Sequence, residues 1–303
     1  IDINRSNLRA NININLTETT KIKVKFYSLF ERYNGPSESA NDIFGNVMNA
    51  NPVNFPKYYQ YENNLGYNHT LFGNKGNGGY PNPYADMVKG YKDRFTNTIL
   101  SQVQLEQDLG FITEGLRFRG LASVRTYAEN ENKRSYNPFY YGTAELETEE
   151  GLLYYLYQIS EGTEYLNSPE INNYSNSNFY YEFTTEYNRI FEEKHEIGGL
   201  LVFNFSESLN TIDLDNDFAS LPSRNMGLSG RFSYNFDSRY YAEFNFGYNG
   251  SEKFAEDNRF GFFPSVGFGW IASNEKWFEE MNSSITLLKI CLLYTSPSPR
   301  DPI

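Results

Sequence analysis

Apolar and polar residues alternate three times over between Leu221 and Trp270. Met226, Leu228, Gly230, Phe232, Tyr234 and Phe236 form one row, and Ser229, Arg231, Ser233 and Asn235 the other. After Asp237-Ser238-Arg239 the alternation restarts. Ala242, Phe244, Phe246 and Tyr248 face one way; Tyr241, Glu243, Asn245 and Gly247 face the other. A third run has Phe260, Phe262, Pro264, Val266, Phe268 and Trp270 opposite Gly261, Ser265, Gly267 and Gly269. Side chains alternate across a strand with period two, so each run predicts a strand with one apolar and one polar face. Each is roughly 10 residues long, which is what a tilted strand needs to cross a bilayer.

The same pattern recurs upstream. Leu8, Ala10, Ile12, Ile14 and Leu16 alternate with Arg9, Asn11, Asn13 and Asn15, then Ile22, Val24 and Phe26 with three lysines, across the turn Thr17 to Thr20. A second pair spans Phe95 to Asp108 and Gly115 to Glu129. Its second strand sets Leu116, Phe118, Ala122 and Val124 against Arg117, Arg119, Ser123 and Arg125. Phe179, Tyr181, Phe183, Thr185 and Tyr187 form an outer row, and a strand over Glu196 to Phe205 returns after Glu193-Lys194-His195. Turns near 17–20, 109–114, 192–195 and 237–239 are short, whereas connections near 33–94, 130–177, 207–225 and 249–259 are long. Strict short–long alternation is the habit of an outer-membrane barrel. The pattern gives about nine complete strands and the start of a tenth. The fold class expected is all-β: an antiparallel up-and-down transmembrane β-barrel, present as a partial, open, curved sheet with long outer loops. Inside the first long connection, Ser37 or Ser39 can cap a short helix with Ala40, Ile43, Phe44, Val47 and Met48 at helical spacing, stopped by Pro52.

Composition sharpens this picture. Mean hydropathy is −0.62, and no apolar run reaches the roughly 18 residues of a membrane helix. A barrel evades that test because only alternate residues meet lipid. Aromatic residues make up 17% of the chain, more tyrosine and phenylalanine than a soluble core needs; interface girdles and sugar-binding surfaces use them. The net charge of −12 weighs against nucleic acid, whose phosphates require clustered Lys and Arg.

Catalytic and metal chemistry find little support. His69 and His195 are far apart in sequence and lack metal-site spacing. Glu149-Glu150, Glu192-Glu193 and Glu279-Glu280 read as solvated charge runs, whereas acid–base work needs carboxylates converging on one cleft. Asp213 to Asp217 alternates oxygens like a calcium loop, but Phe218 and Arg224 stand where Gly and Glu belong. No cofactor is implied, and the chain is read as no enzyme. The polar rows, Arg117, Arg119, Arg125, Arg231, Glu243 and Asn245, are expected to line a lumen. The loop aromatics Tyr58, Tyr59, Tyr61, Tyr80, Tyr140 and Tyr141 are candidates for stacking on a sugar ring; the alternative is that they pack the loops together or meet a partner. Rival readings are a soluble β-sandwich carbohydrate-binding module, whose apolar rows would be buried between two sheets, and a β-rich glycoside hydrolase.

Several stretches resemble a known family. Asp42-Ile43-Phe44, Leu105 to Leu109, Leu116 to Gly120 and, most densely, Leu221 to Phe236, Tyr240 to Ala255 and Arg259 to Trp270 resemble the SusC/RagA class of TonB-dependent outer-membrane transporters. The resemblance implies a barrel of about 22 strands with an N-terminal plug. It further implies a SusD-like surface lipoprotein acting as a lid, energy passed by the TonB complex through parts absent here, and import of oligosaccharides or peptides. The implied setting is a Bacteroidetes-type outer membrane. Residues 1–290 read as part of such a barrel. Cys291 to Asp301 resembles a translated sequencing adaptor, so 291–303 is expected to be non-native and to break the strand begun at Ile285. The first and last strands are expected to lack second partners.

Overall fold

The computed structural model describes residues 1–60, 67–76, 81–149, 151–211, 221–280 and 285–295. Thirteen strands and three short α-helices occur among them. The strands are β1 (Asp2–Asn15), β2 (Thr20–Pro36), β3 (Phe72–Gly73), β4 (Gly90–Asp108), β5 (Leu116–Ser135), β6 (Tyr140–Thr148), β7 (Gly151–Ser160), β8 (Glu170–Phe191), β9 (His195–Thr211), β10 (Ser223–Phe236), β11 (Tyr240–Ser251), β12 (Phe260–Ile271) and β13 (Lys289–Thr295). The helices are α1 (Ala40–Asn49), α2 (Pro83–Val88) and α3 (Lys276–Glu280).

Ten strands form one sheet in the order β1-β2-β4-β5-β8-β9-β10-β11-β12-β13, and β3-β6-β7 form a second, three-stranded sheet. Among the described residues the large sheet does not close: β1 and β13 stand at opposite ends of the order. Its strands follow one another in chain order, the up-and-down arrangement that the alternating turn lengths predict. Contacts divide the chain into two units, one of Ile1–Ser6, Leu29–Asn97 and Ala128–Tyr174, the other of Asn7–Ser28, Thr98–Tyr127 and Ser175–Ile303.

In the second unit, register fixes which residues share a face. Arg231 pairs with Asn245 and with Leu200, while Phe232 pairs with Phe244 and with Gly199. Phe244 in turn pairs with Val266, and Phe183 with Phe203. The aromatic rows therefore form one continuous face, and rings meet across strands: Phe118–Phe183 and Phe183–Phe203 stack with centroids 6.4 and 6.3 Å apart. Phe232, Phe244 and Phe268 remain 53%, 39% and 56% exposed. A sandwich would have buried them beneath a second layer, so the rival soluble module loses its structural basis.

The short turns are built for tightness. Lys194 N–H donates to Phe191 C=O and Arg239 N–H to Phe236 C=O, and both central residues of each turn, Glu192-Glu193 and Asp237-Ser238, have positive φ. That geometry matches the twist of the strands it joins. Between β4 and β5, Gly115 has φ +86°, and a Cβ there would collide with the Asn188 carbonyl. At the same end Glu275, almost fully buried, accepts from Tyr240 Oη at 2.5 Å, Arg239 Nη1 at 2.8 Å and Trp270 Nε1 at 3.2 Å. These bonds, led by that from Tyr240, outweigh burial and hold the carboxyl below its ordinary range.

The structure corrects several boundaries. The strands are longer than the apolar pattern: β4, β5 and β8 have 19, 20 and 22 residues, because antiparallel pairing continues through polar sequence such as Asn130 to Ser135. The connection at 130–177 is not simply loop; it contains β6 and β7. The strand expected from Ile285 forms at Lys289–Thr295, pairing Trp270 with Ile290 and Phe268 with Leu292. An open strand edge accepts any extended chain, which accounts for its taking in residues set aside on sequence. Helix α1 forms as expected, with the Ser39 hydroxyl accepting from Asp42 N–H, but Phe44, Val47 and Met48 are exposed.

In lipid vesicles, Phe244→Arg in the full-length protein should lower unfolding stability by about 2–4 kcal/mol, whereas Ser229→Lys on the polar face should change it by about 0.5 kcal/mol or less. Urea titration followed by tryptophan fluorescence measures both.

Candidate functional site

The polar face of the second unit carries a network of charges. Arg119 Nη2 lies 3.1 Å from Glu182 Oε1 and 3.4 Å from Thr184 Oγ1, and Tyr180 donates to Glu182 Oε2 at 2.6 Å. Arg231 donates from Nε and Nη2 to Glu243 Oε2 at 3.1 and 2.8 Å, and Asn245 Nδ2 donates to Glu243 Oε1 at 2.7 Å. Lys23 pairs with Glu106 at 2.6 Å. Five of the six residues expected to line a lumen, Arg117, Arg119, Arg231, Glu243 and Asn245, thus join the polar face or its recess; strand parity places Arg125 on that face too. A recess of about 660 Å³ opens there near the short turns, bordered by Glu18, Lys21, Asp108, Arg117, Arg119 and Glu186. Both signs of charge border it, so it suits a polar, hydrogen-bonding occupant over an apolar one.

In the first unit the tyrosines divide. Tyr58 is 39% exposed, beside Tyr84 at 6.3 Å, and Lys57 Nζ stands 5.3 Å from the Tyr58 ring and 4.2 Å from that of Tyr84. Tyr59 is half-buried and ties its backbone N–H to Leu71 C=O at 2.9 Å. Tyr140 and Tyr141 pack inward, the alternative left open for them. Tyr141 is only 3% exposed and shares a 2.9 Å hydrogen bond with His69 Nε2, so it packs the unit and presents no ring to a ligand. Tyr140 packs near Phe72, and burial, reinforced by the Asp86 charge, pushes its phenol up to about 12. Tyr61, Tyr80 and Asp213 to Asp217 lie outside the described residues.

What organises this unit is a polar centre that the aromatic pattern does not reveal. Asn82, fully buried, caps α2 by accepting from Tyr84 N–H at 2.9 Å and Ala85 N–H at 3.3 Å, and donates to Pro56 C=O at 2.7 Å and Gly73 C=O at 2.8 Å. One side chain thereby satisfies four backbone groups from three segments. Buried Asp86 accepts from Asn46 Nδ2 and Lys89 Nζ, both at 2.8 Å, and Lys89 also pairs with Glu38 at 2.9 Å. Burial alone would lower the Lys89 pKa; the two carboxylates outweigh it and raise it. The sequence signal was present, an Asn immediately before a Pro at a helix start. Among the described residues no cluster of His, Cys, Asp and Glu could hold a metal.

An antiparallel up-and-down sheet with one lipid-compatible aromatic face, one charged face, short turns and long connections defines a segment of an outer-membrane β-barrel. Comparison with known proteins agrees. No protein-family model matches the chain. It is 27% identical over 156 residues to the TonB-dependent receptor P39 of Formosa agariphila, covering 43% of this chain and 15% of that protein. It is 38% identical over 53 residues to the TonB-dependent receptor SusC of Bacteroides thetaiotaomicron, covering 18% of this chain and 5% of that one. Its fold is similar to that of the RagAB peptide importer in its closed-closed state, with a TM-score of 0.56 and 16% identity, over 97% of this chain and 32% of the solved one. The open-open state gives the same score. The chain is SusC/RagA-like, and spans about a third of the solved chains it resembles and 15% and 5% of the two TonB-dependent receptors.

Two outcomes are expected. Because the folded pKa of Tyr140 lies above that of a free phenol, its contribution to stability is intact below pH 10 and is lost as pH rises through about 12; ultraviolet titration should show a tyrosine that resists ionisation until then. Asn82→Ala removes a cap and two donors, and should destabilise the first unit by about 2 kcal/mol or more, read as faster amide exchange in α2 and Phe72–Gly73.

Proposed function

We propose that this chain is part of an outer-membrane, TonB-energised importer of oligosaccharides or peptides that works with a SusD-like lipoprotein. The observation that carries the proposal is the two-faced sheet: exposed Phe232, Phe244 and Phe268 meet lipid, while the row containing Arg119, Glu182, Arg231 and Glu243 lines an aqueous passage. The named relatives, a TonB-dependent receptor and a peptide importer, support the same reading. In this role Arg117, Arg119, Arg125, Arg231, Glu243 and Asn245 line the lumen, where paired charges offer hydrogen bonds to a plug or to passing substrate. Tyr58, and Tyr59 beside it, contribute aromatic faces on the outer side; Tyr61 and Tyr80 join them on sequence grounds. The chain does no covalent chemistry in this account. Residues 291–303 are proposed to be foreign to the native protein.

The test is made in cells. Deletion of the gene should abolish growth on one class of oligomer, glycan or peptide, while growth on the corresponding monomers continues. Uptake of that oligomer should also stop when TonB is removed. Unchanged uptake of every oligomer by the deletion strain would overturn the proposal.

A further inference from the structure

The three-stranded sheet of the first unit ends in an unusual edge. Strand β7, Gly-Leu-Leu-Tyr-Tyr-Leu-Tyr-Gln-Ile-Ser, pairs with β6 on one side, and among the described residues no strand pairs with its other side. It contains no charged residue or proline and only a single glycine, at its start, and Leu153 and Tyr154 are 54% and 63% exposed. A long, apolar, unguarded edge presents a row of backbone donors and acceptors to any extended chain. The neighbouring strand is guarded differently. Beyond the two residues paired with β3, β6 carries Glu145 and Glu147, the kind of charge that blunts an edge.

Register places those charges. Glu145 pairs with Tyr154 and Glu147 with Leu152, so one face of the hairpin is an acidic row beside an apolar one. The other face holds Leu146, Leu153, Tyr155 and Tyr157. No lysine or arginine occurs between Arg134 and Arg189, so nothing nearby in sequence neutralises the row.

We propose that the free edge of β7 is a docking site for an extended segment of another polypeptide, which adds as a fourth strand and carries Lys or Arg at alternate positions. Strands lie about 4.8 Å apart, so an added strand runs about 10 Å from the strand that bears the acidic row, within the combined reach of an extended lysine and a glutamate side chain and near one screening length. Its basic residues face Glu145 and Glu147, its apolar residues face Leu153 and Tyr155, and its backbone satisfies the edge. A second copy of this chain fits the edge less well: pairing β7 with β7 sets the two acidic rows about 14 Å apart and brings no basic residue to either, since β7 has none.

The test uses the full-length protein in detergent and labelled ten-residue probes. A probe of alternating Lys and Val should bind on the order of tenfold more tightly at low salt than one of alternating Glu and Val. The double variant Glu145→Gln/Glu147→Gln should erase that preference while leaving the fold intact by circular dichroism. Two further Lys/Val probes carry N-methyl groups on alternate backbone nitrogens in opposite phase. Strand addition predicts that one phase binds like the parent probe and the other does not bind, because only one set of N–H groups faces β7. Equal binding of both phases, equal binding of both charges, or indifference to the double variant would overturn the proposal. So would sedimentation showing that the protein dimerises through this edge and loses dimerisation on Leu153→Lys.

Discussion

Interstrand backbone hydrogen bonding is the constraint on which everything else depends. A peptide group without a partner in hydrocarbon costs several kcal/mol, so a lipid-facing chain must either coil into helices or pair strand against strand. No helix among the described residues is long and apolar enough to cross a membrane; the strands pair instead, from β1 through to β13. Once pairing is fixed, period two makes the rest follow. Every neighbour must keep its aromatic row in phase, since slippage by one residue would turn Phe232 and Phe244 toward the charged side and Arg231 and Glu243 toward lipid.

The two faces are held by different physics. Stacked rings such as Phe118–Phe183–Phe203 act through contact area and need no water. On the opposite face, exposed ion pairs such as Arg231–Glu243 add little stability, because solvent screens them. Their value is chemical: a wall of alternating sign offers hydrogen bonds to polar groups while binding no one charge tightly.

Sequence made the large sheet legible because alternation, turns and loop lengths all report on one period. Four short turns, the phase of each aromatic row and the capped helix after Ser39 were all readable. What escaped was decided by tertiary partners. Strands β4, β5 and β8 extend through Asn-, Glu- and Lys-rich sequence that carries no apolar rhythm, because a neighbour supplies the hydrogen bonds. The β6–β7 hairpin hid in a stretch rich in Glu and Tyr that reads as loop. Tyr141 shows the limit for individual sites: its residue type suited a sugar ring, but its burial against His69 depends on contacts between positions 72 residues apart.

Asn82 and Asp86 lead to a different kind of conclusion. Two side chains gather the backbone of Pro56 and Gly73, the side chain of Asn46, and the start of α2. These two side chains are buried and polar, so neither can be exchanged without leaving several partners unsatisfied at once. Exposed side chains around them, such as Phe44 and Val53, touch neither group, so the unit's surface chemistry and its internal scaffold are set by different residues.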